Sequence, residues 1–103
     1  MSDAGVTDRA TEEVVQICSD LIRIESVNPT GNERAIAEHV AGLLTDAGLT
    51  PEIFESEPGR ASVVARWAGE DSSRDALLIH GHLDVVPANA DDWQVAPFSG
   101  EVR

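Results

Sequence analysis

The stretch that decides the fold of this chain is Leu77-Leu78-Ile79-His80-Gly81-His82-Leu83-Asp84-Val85-Val86-Pro87. Its three leading apolar residues predict a short strand that is covered on both faces, as in the sheet of an α/β protein. In an extended chain, side chains two positions apart point to the same side. His80, His82 and Asp84 should therefore share one face where the strand ends, and Pro87 closes the segment.

This cluster of two histidines and one aspartate indicates a metal site. Imidazole nitrogen is a good zinc ligand, and a ligating histidine usually donates its other ring N–H to a carboxylate or a carbonyl. One histidine and the aspartate two positions further on could therefore be a ligand and the group that orients it. The structural alternative is a histidine that is only hydrogen-bonded at the end of a core strand.

Two helices are expected before the strands. The first should run from about Asp8 to Ile24, because apolar residues recur three and four positions apart. That stripe consists of Val14, Ile17, Cys18, Leu21 and Ile22, and it predicts a buried, structural thiol at Cys18.

The second helix should begin after Thr30, whose spacing to Glu33 is that of a capping box. Gly48 supplies a stop signal, and His39 is expected on the helix surface. The predicted buried face consists of Ile36, Val40, Leu43 and Leu44.

Strands are expected at about 50–55 and 61–67, with a turn at Pro58-Gly59 between them. The third strand should cover 76–80, so that the order is helix, helix, strand, strand, strand, and the fold class is α/β. Residues 88–103 show no clear period. Their Trp93 and Phe98 suggest an element that docks on something larger, or a loop that covers the local core.

The composition limits the partners. The chain has 103 residues and a net charge of −12, from 19 acidic and 7 basic residues, and every basic residue is arginine. Such a surface repels nucleic acid and anionic membranes. A single cysteine excludes a disulfide within the chain, and the first residues lack the features of a signal peptide. The expected location is the cytoplasm.

From His80 to Pro87 the chain resembles the metal-binding signature of the zinc-dependent aminoacylase and carboxypeptidase family of metallopeptidases. This family includes acetylornithine deacetylase, succinyl-diaminopimelate desuccinylase, aminoacylase and glutamate carboxypeptidases. Two further stretches resemble its sequences, namely Leu21 to Pro29 and the pair Asp92-Trp93 followed by Pro97 to Gly100. The resemblance extends from about Val14 onward.

The resemblance implies roles for two residues. His82 matches the first zinc ligand, Asp84 matches the carboxylate that orients it and so affects catalysis, and His80 becomes a packing residue at the strand end. It also implies a helix–sheet–helix catalytic domain, a dinuclear zinc site (cobalt and manganese are alternatives), and hydrolysis of the amide bond of a small N-acyl amino acid or peptide. A homodimer is possible for the complete enzyme.

The family's other ligands, its general-base glutamate and its lid domain would follow Arg103. The chain is therefore expected to be an N-terminal fragment, or a truncated product, that is inactive alone.

Three alternatives stay open on the residues. Metallo-β-lactamase-like hydrolases have an H-x-H-x-D-H motif, which fits His80, His82 and Asp84 but not Val85. An α/β-hydrolase could use His80-Gly81 at an oxyanion hole, although no G-x-S-x-G motif is present. The third alternative is a small, non-catalytic binding or assembly module.

Overall fold

The computed structural model describes residues 3–27 and 33–103, which form two compact units. The first unit combines 3–25 with 87–103, and the second comprises 26–27 and 33–86. In chain order the elements are α1 (Asp3–Ile22), α2 (Glu33–Asp46), β1 (Glu52–Glu57), β2 (Arg60–Val64) and a 3-10 helix (Ala90–Asp92). Within these ranges, neither α-helix combines the length and the hydrophobicity that crossing a bilayer requires.

The second unit is built from α2 and an antiparallel hairpin of β1 and β2, which pack against each other. The predicted face of α2 is confirmed: Ile36 is buried, and Val40, Leu43 and Leu44 are half-buried. A capping interaction by Thr30 lies outside the described residues. Another contact fixes the start of α2, where the Glu33 N–H donates to the carbonyl oxygen of Gly59 at 3.0 Å.

The C-terminus of α2 is capped at Gly48, as the sequence predicts. Gly48 has a φ of 95°, and its N–H donates to the Thr45 carbonyl at 2.9 Å. The next N–H, that of Leu49, donates to the Leu44 carbonyl at 3.0 Å. These two bonds are those of a Schellman motif, which satisfies carbonyls that the end of a helix would otherwise leave without a partner.

Replacing Gly48 with alanine should lower the free energy of unfolding by about 1 kcal/mol, because a Cβ disfavours positive φ. An added Cβ meets no atom within 4 Å, so the effect is conformational. Urea unfolding followed by circular dichroism measures it. The control is Gly42→Ala within α2, where an added Cβ also meets no atom within 4 Å. This variant should raise the free energy of unfolding by up to about 1 kcal/mol, because alanine favours the helix more than glycine does. Equal changes in the free energy of unfolding for the two variants would contradict the prediction.

The two predicted strands and their turn are also confirmed. Ile53 pairs with Val63 and Phe54 with Ser62, and the register shifts between Glu55 and Glu57. Gly59, in the turn, has a φ of 81°. At this end of the hairpin Arg60 Nε lies 2.7 Å from Glu33 Oε1, which ties the turn to the start of α2.

The predicted third strand is wrong for this chain. In the part of the chain that is described, the sheet has two strands, and residues 76–80 belong to neither. The side chains of Leu77, Leu78 and Ile79 are each more than 80% exposed. His80 is exposed as well, so its expected packing role is wrong too. A strand needs a neighbouring backbone with which to form a ladder, and the ranges 3–27 and 33–103 offer these residues no such neighbour.

The predicted burial of α1 is wrong in a similar way. The helix itself is present, but Val14 is 60% exposed and the thiol of Cys18 is exposed. Ser19, a polar residue, is buried instead. Its hydroxyl donates to the carbonyl of Gly100, and Arg23 Nε donates to the carbonyl of Ser99 at 3.0 Å. The segment 99–100 thus covers the polar side of α1 and leaves much of the apolar stripe uncovered.

Candidate metal centre

The backbone that carries the candidate ligand is held in the second unit by Ser26. The Ser26 hydroxyl donates to the Leu83 carbonyl at 2.7 Å, and the Ser26 carbonyl accepts from the Val85 N–H at 3.0 Å. An isolated parallel bridge joins Val27 to Val85. Ser26 is almost fully buried. These contacts fix the backbone on both sides of Asp84.

His82 and Asp84 are brought together as the sequence predicts. His82 Nδ1 lies 3.0 Å from Asp84 Oδ1 and 3.0 Å from the backbone oxygen of Asp84. Both oxygens are acceptors, so Nδ1 carries the proton and donates. In the neutral ring Nε2 then has the free lone pair, which is the electron pair that a metal ion needs.

The side chains of His82 and Asp84 differ in their solvent exposure. The His82 side chain is 85% exposed, whereas that of Asp84 is 28% exposed. The carboxylate is therefore held against the protein, and the imidazole extends from it toward solvent. This is the arrangement in which a carboxylate sets the tautomer and the ring orientation of a metal-binding histidine.

The other two histidines do not join this pair. Among the described residues no hydrogen bond connects His80 to His82 or Asp84. His39 is half-buried on α2, and its Nε2 is enclosed without a hydrogen-bond partner in the described ranges. His39 is therefore less exposed than a surface histidine was expected to be.

The described residues fit one metal ligand and the carboxylate that orients it. A catalytic zinc takes about three protein ligands, and no group of three histidine, cysteine or acidic residues that could hold a metal occurs in 3–27 and 33–103. The second unit also has an open polar cavity of about 310 Å³, lined by Glu33, Ser56, Glu57, Arg60, Ala61 and Ser62. None of these six residues belongs to the stretch 77–87.

The local sequence does not indicate the contribution of Ser26. Its two partners lie far along the chain, since 57 positions separate it from Leu83. No local pattern links a serine at a helix exit to a carbonyl so distant. A buried hydroxyl next to a candidate ligand becomes visible only when the two segments are seen side by side.

Three relatives show how this chain compares with known proteins. It is 34% identical over 90 residues to a succinyl-diaminopimelate desuccinylase of Roseobacter denitrificans, which covers 86% of this chain and 23% of the relative. Against an acetylornithine deacetylase of Vibrio atlanticus, the identity is 33% over 91 residues, which cover 82% of this chain and 23% of the relative. Against aminoacylase-1 of Sus scrofa, the identity is 28% over 86 residues, which cover 84% of this chain and 21% of the relative.

The resemblance to the aminoacylase and carboxypeptidase family is confirmed. The chain spans between a fifth and a quarter of the length of these three relatives. No family model and no solved structure matches the chain. The relatives from this family are hydrolases of amide bonds by name, and the two helices and the hairpin are compatible with a part of such an enzyme's α/β domain.

Proposed function

We propose that this chain forms part of a metal-dependent hydrolase that cleaves the amide bond of a small N-acyl amino acid or peptide. The observation that carries the proposal is the contact between His82 Nδ1 and Asp84 Oδ1 at 3.0 Å, with the imidazole exposed beyond it. The names of the three relatives, a desuccinylase, a deacetylase and an aminoacylase, each describe the removal of an acyl group. They support the substrate class.

In this proposal His82 binds a metal ion through Nε2, and Asp84 acts on catalysis by holding the ring. The metal would be zinc, with two ions in the complete enzyme, and cobalt or manganese as alternatives. The chemistry that a metal ion bound there would supply is polarisation of the scissile carbonyl and activation of a water molecule. The Asp84 carboxylate keeps the proton on Nδ1, and the Ser26 hydroxyl fixes the Leu83 carbonyl between the two residues. A homodimer of the complete enzyme is part of the same proposal.

The role of His82 can be tested on the chain itself by following its three imidazoles in ¹⁵N-resolved NMR spectra during titration with Co²⁺. We expect the His82 ring signals to broaden at a lower Co²⁺ concentration than those of His39 and His80. The neutral His82 ring should be the Nδ1–H tautomer before the metal is added. The control is His80→Ala, which should leave the effect at His82 unchanged.

Equal broadening at all three rings would contradict the assignment of His82 as the ligand. An Nε2–H tautomer at His82 would also contradict it, because the proton would then occupy the nitrogen that has to bind the metal.

Replacing Asp84 with asparagine should weaken metal binding at His82 by about 10- to 100-fold, the usual effect of losing the carboxylate behind a ligating histidine. The amide has nearly the same shape but no charge, and it holds the Nδ1–H tautomer less firmly. The same Co²⁺ titration measures the change. The matched control for the lost charge is Asp75→Asn, at an exposed position. An unchanged affinity of Asp84→Asn for Co²⁺ would mean that the Asp84 carboxylate does not assist metal binding.

A further inference from the structure

Ser26 contacts both of the peptide groups that flank the Cα of Asp84. Its hydroxyl donates to the Leu83 carbonyl at 2.7 Å, and its own carbonyl accepts from the Val85 N–H at 3.0 Å. A peptide group is planar, so each of these bonds orients a whole group. The orientations of the two groups determine the φ and ψ of Asp84. A single residue, distant in the sequence, therefore sets the backbone conformation of Asp84.

The peptide group between Asp84 and Val85 also contacts the imidazole. Its carbonyl oxygen lies 3.0 Å from His82 Nδ1, and its N–H donates to the carbonyl of Ser26. A continuous series of hydrogen bonds therefore joins the His82 ring to Ser26 through one peptide group. Hydrogen bonds in such a series polarise and strengthen one another. Ser26 thus holds the backbone acceptor of the ring N–H.

The second acceptor of the ring N–H depends on Ser26 as well. Asp84 Oδ1, at 3.0 Å from His82 Nδ1, extends from the Cα whose φ and ψ the two Ser26 bonds determine. The direction of the carboxylate follows from that backbone conformation. The His82 side chain is 85% exposed, so little packing restricts its ring. The orientation of the ring therefore depends on these two acceptors.

We propose that Ser26 is a positioning residue for the metal site, which holds both acceptors of His82 Nδ1 and so keeps Nε2 available to the metal ion. The inference rests on the proposed function for the metal, but not for the orientation of the ring. Its matched control is Ser19, in the first unit. Ser19 is 6% exposed and Ser26 is 1% exposed, and the hydroxyl of Ser19 also donates to a distant carbonyl, that of Gly100.

The test compares Ser26→Ala with Ser19→Ala in the full chain, by ¹⁵N-resolved NMR spectra of the His82 ring. Without metal, Ser26→Ala should lower the fraction of the Nδ1–H tautomer, because the two acceptors that stabilise it lose their fixed positions. It should also raise the dissociation constant for Co²⁺ at His82 by about tenfold, the lower end of the range for a partner lost behind a ligand. Ser19→Ala should change neither, although it also removes a buried hydroxyl.

A second measurement uses the unaltered chain and applies even if Ser26→Ala does not fold. Coupling between two sites is reciprocal, so a metal ion bound at His82 should stabilise the bond between the Val85 N–H and Ser26. We expect saturating Zn²⁺ to slow hydrogen exchange of the Val85 amide by about tenfold. The control is the Leu49 amide, which donates to the Leu44 carbonyl in the same unit and should exchange at an unchanged rate.

The outcomes separate this proposal from the proposed function. If the parent binds Co²⁺ at His82 but Ser26→Ala keeps its tautomer or its affinity, or matches Ser19→Ala in both, only the role of Ser26 is overturned. If Ser26→Ala does not fold, Val85 exchange that Zn²⁺ leaves unchanged, or slows no more than that of Leu49, overturns it. A loss of the Nδ1–H tautomer in Ser26→Ala, with no Co²⁺ binding at His82 in the parent, would support the positioning of the ring and contradict the proposed function alone.

Discussion

Replacing His82 with alanine should reduce amide hydrolysis by at least about a thousandfold in an active enzyme that contains this chain. A metal that polarises the scissile carbonyl contributes several kcal/mol to the stabilisation of the transition state, and each 1.36 kcal/mol corresponds to a factor of about ten in rate. The variant removes the imidazole whose Nδ1 lies 3.0 Å from Asp84 Oδ1. The measurement is kcat/KM for succinyl-diaminopimelate in a chimera, in which this chain replaces the segment that it matches in the Roseobacter denitrificans desuccinylase.

The matched control for this experiment is His80→Ala in the same chimera. His80 is exposed, lies two positions before His82, and makes no hydrogen bond with it among the described residues. Its loss should change kcat/KM by less than about threefold. If the two variants lose activity equally, or if His82→Ala keeps both its metal content and its rate, the assignment of the ligand is wrong.

Replacing Gly100 with alanine should lower the free energy of unfolding of the first unit by about 2–4 kcal/mol. Gly100 has a φ of 70°, which a residue with a Cβ adopts at a cost of about 1 kcal/mol. The new Cβ would lie 2.6 Å from the backbone oxygen of Ser19 and 3.0 Å from Arg23 Cγ. Backbone cannot yield as a side chain does, so overpacking adds about 1–3 kcal/mol.

Urea unfolding followed by Trp93 fluorescence measures the loss at Gly100. A Trp67→Phe background removes the second tryptophan, which is exposed, so that the signal reports on the first unit. The control is Gly69→Ala, where a Cβ meets nothing within 4 Å and the expected change is below about 0.5 kcal/mol. A Gly100→Ala midpoint close to that of the parent would show that the contact between 99–100 and α1 does not stabilise the unit.

The parts of the fold that follow from local chemistry could be predicted from the sequence. The end of α2 at Gly48 depends on one glycine and the carbonyls within one turn of it. The hairpin depends on Pro58-Gly59 and the apolar residues on either side. The apolar face of α2 follows from its period, because the hairpin that covers it comes next in the chain. His82 and Asp84 could be paired since only one residue separates them.

The two predictions that were wrong, the burial of α1 and the strand at 76–80, depend on residues that are distant in the sequence. Whether the stripe of α1 is buried depends on what packs against it, and the partner of Ser19 is 81 positions away. Whether 76–80 forms a strand depends on neighbours that the described residues do not supply. Periodicity indicates which side of an element could be covered, but it does not indicate whether a cover is present. Cys18 and Leu78 were misjudged for the same reason.

The division into two units has a consequence for synthesis on the ribosome. The second unit is continuous along the chain, whereas the first combines residues 3–25 with residues 87–103. Translation at about 5–20 residues per second means that α1 emerges roughly 4–16 s before Gly100, the residue that contacts its polar side. Over this interval the hairpin and α2 can already be complete. Although α1 is made before α2, it should therefore acquire its contact with Gly100 after the second unit has formed.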